Sequence, residues 1–188
     1  MSKLFPILSL ALGLAMFGHR AAAATPEFQI TPRLGFGSLR VDALAGINED
    51  LVRTDTYGIG AGFGYLTRIG IVAEIGADTF GDFDFLDTFD SFSLTQEFIS
   101  LGYQAELGGG WRVVPRVGRA HWNLRSEEGR LLNPGREEVR EKKGNDYFWE
   151  VSLSRRVSRV VTVGVIHKQG QYDFGRTRST AFLVTLGF

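Results

Sequence analysis

Every second residue is apolar in eight separate stretches of this chain, and the residues between them are mostly polar, charged or glycine. Phe28, Ile30, Pro32, Leu34 and Phe36 alternate with Gln29, Thr31, Arg33, Gly35 and Gly37, the period-two signature of a strand with two unlike faces. In the second stretch Tyr57, Ile59, Ala61, Phe63 and Tyr65 alternate with Gly58, Gly60, Gly62 and Gly64. A face of four glycines suits the crowded inside of a narrow barrel, where eight strands leave just enough room for side chains.

The pattern continues along the chain. After a short turn at Thr67-Arg68, strand three sets Ile69, Ile71, Ala73, Ile75 and Ala77 against Gly70, Val72, Glu74, Gly76 and Asp78. A loop is expected from Gly81 to Ser93. Strand four sets Ile99, Leu101, Tyr103, Ala105 and Leu107 against Ser100, Gly102, Gln104 and Glu106. Gly108-Gly109 then makes a tight hairpin turn. Strand five sets Trp111, Val113, Pro115 and Val117 against Arg112, Val114, Arg116 and Gly118, and its phase blurs from Arg119 to Trp122. Pro115 has no N–H to give to a ladder, so a bulge is expected in or just beyond this strand. A charged loop is expected from Arg125 to Asn145. Strand six alternates Trp149, Val151 and Leu153 with Glu150, Ser152 and Ser154, and a short turn spans Arg155 to Arg159. Strand seven alternates Val161, Val163 and Val165 with Thr162, Gly164, Ile166 and Lys168, and a loop follows from Gln169 to Thr177. In the last strand Phe182, Val184, Leu186 and Phe188 alternate with Ala181, Leu183, Thr185 and Gly187.

The expected connections are short after strands two, four and six and long after strands one, three, five and seven. That asymmetry belongs to outer-membrane barrels, with short periplasmic turns and longer extracellular loops, and it puts both ends of the mature chain in the periplasm. The fold expected is all-β: an eight-stranded antiparallel transmembrane barrel of up-and-down topology. A soluble lipocalin-like barrel would carry the opposite phase, apolar inside and polar outside.

The start of the chain points the same way. Lys3, an apolar run from Leu4 to Phe17 and the small residues Ala21 to Ala24 read as a cleaved signal peptide over residues 1–24, leaving residues 25–188 as the barrel domain. The run is too short for a spanning helix, which needs about 20 residues. Removing residues 1–24 takes away Lys3 and Arg20 and no acid, so 19 bases face 21 acids in the remainder. Such a balance offers no field for nucleic acid. The chain has no cysteine, so neither disulfides nor a lipid-acceptor cysteine are expected.

The closing residues Phe182, Val184, Leu186 and Phe188 resemble the C-terminal signal read by the outer-membrane assembly machinery. Asp146-Tyr147-Phe148-Trp149 before a basic turn, and Pro115-Arg116-Val117-Gly118 leading to Trp122, are similar to segments of the OmpA-like and OmpX-like small outer-membrane barrels. That resemblance implies an eight-strand barrel in the bacterial outer membrane with lipid and lipopolysaccharide around it. The chain stops at Phe188, so the peptidoglycan-binding domain of the full-length OmpA architecture is not carried over.

The candidate site is a charge network in the lumen. Arg33, Glu74, Glu106, Arg112, Arg116, Glu150 and Lys168 share the inward phase on six strands, and opposite charges in a low-dielectric interior must pair. Either they plug the barrel or, as the resemblance implies, their pairs exchange to pass small ions. The sequence leaves open which of Arg33, Arg112, Arg116 and Lys168 pairs with Glu74, because strand shear is not legible in it. Two loops are further candidates for binding. Asp82, Asp84, Asp87 and Asp90 alternate with phenylalanines but lack an EF-hand spacing, so the segment reads first as an extension of strands three and four with its phenylalanines at the lipid interface; the mixed run from Arg125 to Lys143 reads as a solvated loop, with lipopolysaccharide phosphates as the alternative partner of its bases. His167 precedes Lys168-Gln169 and His121 precedes Trp122-Asn123, so neither makes the His and Ser pair of the lipid A deacylases. The expected role is a structural and surface-interaction protein without catalytic, cofactor or metal site, the alternatives being a narrow ion or solute pore and, third, a lipid-modifying enzyme.

Overall fold

The strands close on one another without an edge. The computed structural model describes residues 25–41, 54–81, 91–127 and 139–188. They form β1 (Glu27–Val41), β2 (Thr54–Leu66), β3 (Ile71–Gly81), β4 (Ser91–Tyr103), β5 (Ala105–Gly108), β6 (Trp111–Glu127), β7 (Val139–Arg156), β8 (Val161–Tyr172) and β9 (Gly175–Gly187). Each pairs antiparallel with its neighbours, β4 also pairs with β6, and β9 pairs with β1 to close the sheet. β4 and β5 are two parts of one wall strand, so nine segments make an eight-stranded barrel.

The interruption at Gln104 has a chemical cause. The register that joins Gly102 to Arg116 is kept where Ala105 meets Val113, which puts Tyr103 opposite Pro115. Proline has no N–H to offer there, while on the other edge of the strand the Gln104 N–H donates to the Gly70 carbonyl at 2.7 Å. The bulge expected in or just beyond strand five is absent from β6 itself. β6 pairs with β7 in unbroken register from Trp111 to Glu127, and the shift falls on the partner strand, between Glu106 and Gly108. There Gly108, Gly109 and Gly110 take φ of 88°, 61° and 80°, backbone that only glycine adopts freely.

The shear follows from the registers. A path across the ladders from Val113 runs through Leu153, Val165, Phe182, Leu34, Ile59, Thr79 and Thr95 and returns to β6 at Asn123, ten residues further on. Eight strands with that stagger tilt by about 40° from the barrel axis.

The two faces separate as the alternation requires. Leu34, Ile59, Ile75, Ile99 and Phe182 are exposed on the outside, whereas Arg33, Glu74, Ser100, Arg116 and Glu150 are buried within. Phe28, Tyr65, Tyr103 and Trp111 stand on the outer phase near one end, as in an aromatic girdle.

Several expected boundaries move. The β2–β3 turn runs through Gly70, so Ile69 and Gly70 leave strand three. Phase does not blur after Arg119: Ala120, Trp122 and Leu124 are buried while Arg119 and His121 face out. The charged segment Arg125 to Asn145 is not a loop throughout, because β6 continues to Glu127 and β7 starts at Val139. A paired strand needs no apolar face once it rises above the apolar band, so alternation fades there while the ladder persists. The loop expected from Gln169 to Thr177 shrinks to Asp173-Phe174 between β8 and β9, so the connection after strand seven is short. Residues 1–24 and most of the expected loop Gly81 to Ser93 lie outside the described residues.

Candidate functional site: the filled lumen

The lumen is filled in layers, and the middle one is ionic. Arg33 on β1 donates to Glu74 on β3 and, through Nη1 at 3.4 Å, to Glu150 on β7. Arg116 on β6 donates through Nη1 to Glu150 Oε1 at 3.2 Å and places Nη2 3.6 Å from Glu74 Oε2. The four residues close a ring of alternating charge. Of the bases that the sequence offered to Glu74, the structure gives it Arg33 and Arg116.

Lys168 sits beside this ring. Its Nζ donates to Asp78 Oδ2 at 2.7 Å and Gln96 Oε1 at 2.9 Å, and lies 4.6 Å and 4.2 Å from the ring centroids of Phe98 and Phe148. Asp78 also stands 3.9 Å from Arg33. Three bases thus face three acids, which is how buried charges become tolerable.

Glycines on neighbouring strands make the layer possible. A Cβ at Gly60 would collide with the Asp78 carboxylate, and one at Gly62 with that of Glu74. The glycine face of β2 is therefore the socket that receives the acids of β3.

Two sequence candidates lie elsewhere. Arg112 bridges Glu27 at 3.7 Å and Glu106 at 3.6 Å, at the rim beside the short turns. The Glu106 side chain is 46 % exposed, so it is no part of the buried ring. Arg156 joins this rim group through Glu27 at 2.9 Å. Leu66, Val72 and Val114 form an apolar cluster between rim and ring, facing buried polar side chains such as Thr31 and Ser154 from other strands.

The sequence reading missed Asp78 and Gln96 as members of the site, although Asp78 shares the inward phase of Glu74 and Gly76. It also missed the layer above. Leu94, Trp122, Leu124, Tyr172 and Phe174 pack together in the loop-side mouth, with Phe80 against them. The two-residue turn folds inward, so that Phe174 is fully buried, 4.6 Å from the Trp122 ring and stacked on Tyr172 at 5.2 Å. Asp146 holds the cap together: its Oδ2 accepts from Trp122 Nε1 at 2.8 Å and from the Asp173 N–H at 3.3 Å. Gly144 and Gly170 leave room for the rings of Trp122 and Tyr172. Trp122 stands six residues beyond Arg116 on β6, about 15 Å further up the axis at the usual strand rise and tilt.

Two small cavities of about 20 and 10 Å³ adjoin Lys168, each room for roughly one water. His121 and His167 face outward. Their Nδ1 atoms lie 3.3 Å from Asn145 Oδ1 and 3.1 Å from Thr180 Oγ1, respectively. At the closing strand, Phe28 and Phe188 exchange backbone hydrogen bonds of 3.0 and 3.1 Å.

No protein-family model matches the chain, and neither does any curated protein. Solved structures do resemble it. Neisserial surface protein A superposes with a TM-score of 0.65 at 9 % identity, over 88 % of this chain and 100 % of that one. Ail, the attachment invasion locus protein of Yersinia pestis, gives 0.57 at 7 % identity, over 87 % and 97 %. The N-terminal β-barrel domain of Pseudomonas aeruginosa OprF gives 0.53 at 15 %, over 87 % and 100 %. At these identities the likeness is one of fold: this chain is an eight-stranded antiparallel barrel similar to those of outer-membrane proteins.

Proposed function

We propose that this chain is a bacterial outer-membrane protein of the small OmpA-like and OmpX-like kind, with a structural and surface-interaction role and no open pore. The observation that carries this reading is the filled lumen beneath an apolar exterior. An ionic ring lies between the Leu66, Val72 and Val114 cluster on one side and the Trp122, Tyr172 and Phe174 cap on the other. An ion crossing the barrel would have to displace a charge-balanced lattice of three bases and three acids and the aromatic cap above it. The exposed Ile, Leu, Val and Phe side chains outside are otherwise an aggregation surface of a size soluble monomers rarely carry; lipid is their natural solvent.

In this reading residues 1–24 are the signal peptide and residues 25–188 the barrel. Both ends of the barrel domain lie in the periplasm, and Phe182, Val184, Leu186 and Phe188 are recognised by the assembly machinery. The long connections and the raised β6–β7 hairpin face outward, among lipopolysaccharide. One structure of Ail holds the heparin analogue sucrose octasulfate, which supports surface binding as a role that such a barrel can serve.

The chain has no cysteine, so orientation is directly testable. Lys143→Cys, on the raised hairpin, is expected to react with a membrane-impermeant maleimide on intact cells, and Arg159→Cys, in the β7–β8 turn, only after lysis. Labelling of Arg159→Cys on intact cells would overturn the orientation, and recovery of the protein in the soluble fraction would overturn the membrane assignment.

A further inference from the structure

The two ends of the barrel differ in charge. At the loop end both signs are exposed among the described residues: Glu97, Glu141 and Asp173 accompany Arg119, Lys143 and Arg178. At the short-turn end the acids are already engaged. Glu27 is held by Arg112 and Arg156, and Glu106 by Arg112.

Arg68 in the β2–β3 turn, Arg155 at the end of β7 and Arg159 in the β7–β8 turn remain exposed, with no carboxylate partner among the described residues. Arg155 lies over the Trp111 ring at 5.8 Å, at the level of the aromatic girdle. The same two turns expose large apolar side chains, Ile69 at 66 % and Val160 at 54 %, and Leu107 beside the β5–β6 turn is 56 % exposed. Turn tips that carry both aliphatic groups and unpaired guanidinium groups fit one environment, the boundary where acyl chains meet phosphate.

We propose that the short-turn end of the barrel is a collar that binds the phosphates of anionic phospholipids, with Arg68, Arg155 and Arg159 as the phosphate-binding groups. The inference rests on the membrane reading above. The guanidinium fork matches a phosphate bidentately and is weakly hydrated. The apolar tips beside it favour a lipid headgroup over free phosphate, because only the lipid offers them an acyl boundary. The effect is to fix the depth of the barrel in its leaflet from two turns at once, β2–β3 and β7–β8.

The test is refolding of the chain into vesicles of phosphatidylcholine alone or mixed with phosphatidylglycerol, followed by urea unfolding at low and high salt. The wild type is expected to be more stable in the mixture at low salt, the three arginines lowering the unfolding constant on the order of a hundredfold. Salt should erase most of the gain. The triple variant Arg68→Gln, Arg155→Gln, Arg159→Gln should lose most of it while unfolding as wild type does in phosphatidylcholine, and the matching triple Lys variant, which keeps the charge without the fork, should retain only part of it. A triple Gln variant that keeps the full gain overturns the collar, as does inorganic phosphate giving the same stabilisation in phosphatidylcholine. A wild type equally stable in both vesicles contradicts the collar alone; one that enters neither contradicts the membrane reading beneath it.

Discussion

The ionic ring and the aromatic cap close the same lumen by opposite means. The ring joins groups from β1, β3, β6 and β7 through charge, and each member is needed because a buried ion without its partner is costly. The cap joins groups from β4, β6, β8 and the β8–β9 turn through apolar contact, with one carboxylate, Asp146, fixing its geometry. A charged lattice tolerates no missing member. An apolar cluster loses stability gradually, in proportion to the contacts removed.

That contrast can be broken by substitution. Glu150 serves both Arg33 and Arg116 and is fully buried. Glu150→Gln leaves two guanidinium groups to share Glu74 and is expected to cost about 3 to 5 kcal/mol, read by urea unfolding in lipid. Adding Arg116→Gln should recover part of the loss; strict additivity of this pair would mean that the ring is not a coupled unit. Phe174→Ala removes the residue that the turn tucks into the cap and should cost about 3 kcal/mol, with Trp122 fluorescence shifting to the red. An unchanged spectrum would mean that the cap does not shield Trp122 as described.

Smaller effects sharpen the comparison. Asp146→Asn weakens the acceptor shared by Trp122 and the Asp173 N–H and should cost about 1 to 2 kcal/mol, with faster amide exchange at Asp173. Between the layers the expected coupling is close to nil. Glu150→Gln and Phe174→Ala should add to within about 0.5 kcal/mol, because residues well apart with no shared partner act independently. A larger coupling energy would show that ring and cap form one device.

The difference between the layers also explains what the sequence disclosed. Arg33, Glu74, Arg116, Glu150 and Lys168 are legible as inward residues because strict alternation next to lipid leaves a charge one place to go. Their pairing was not legible: it depends on the ten-residue shear, a property of ring closure rather than of any strand. Glu106 carried the right phase but stands at the rim, since phase reports the face and not the height. The cap escaped detection because Asp173-Phe174 lies in a stretch of Gly, Gln, Asp and Arg that reads as loop. Phe174 is buried only because the turn bends inward over sockets at Gly144 and Gly170. The upper parts of β6 and β7 were hidden for a related reason: above the apolar band hydrogen bonding to a neighbouring strand holds them, and polar residues satisfy both faces.

The most direct test of the sealed lumen is planar-bilayer recording of the refolded wild type beside Phe174→Ala. No discrete channel openings are expected from the wild type, and none from Phe174→Ala either, because the Arg33, Glu74, Arg116 and Glu150 ring still closes the barrel beneath the opened cap. Stable unitary conductance from the wild-type protein would contradict the sealed lumen.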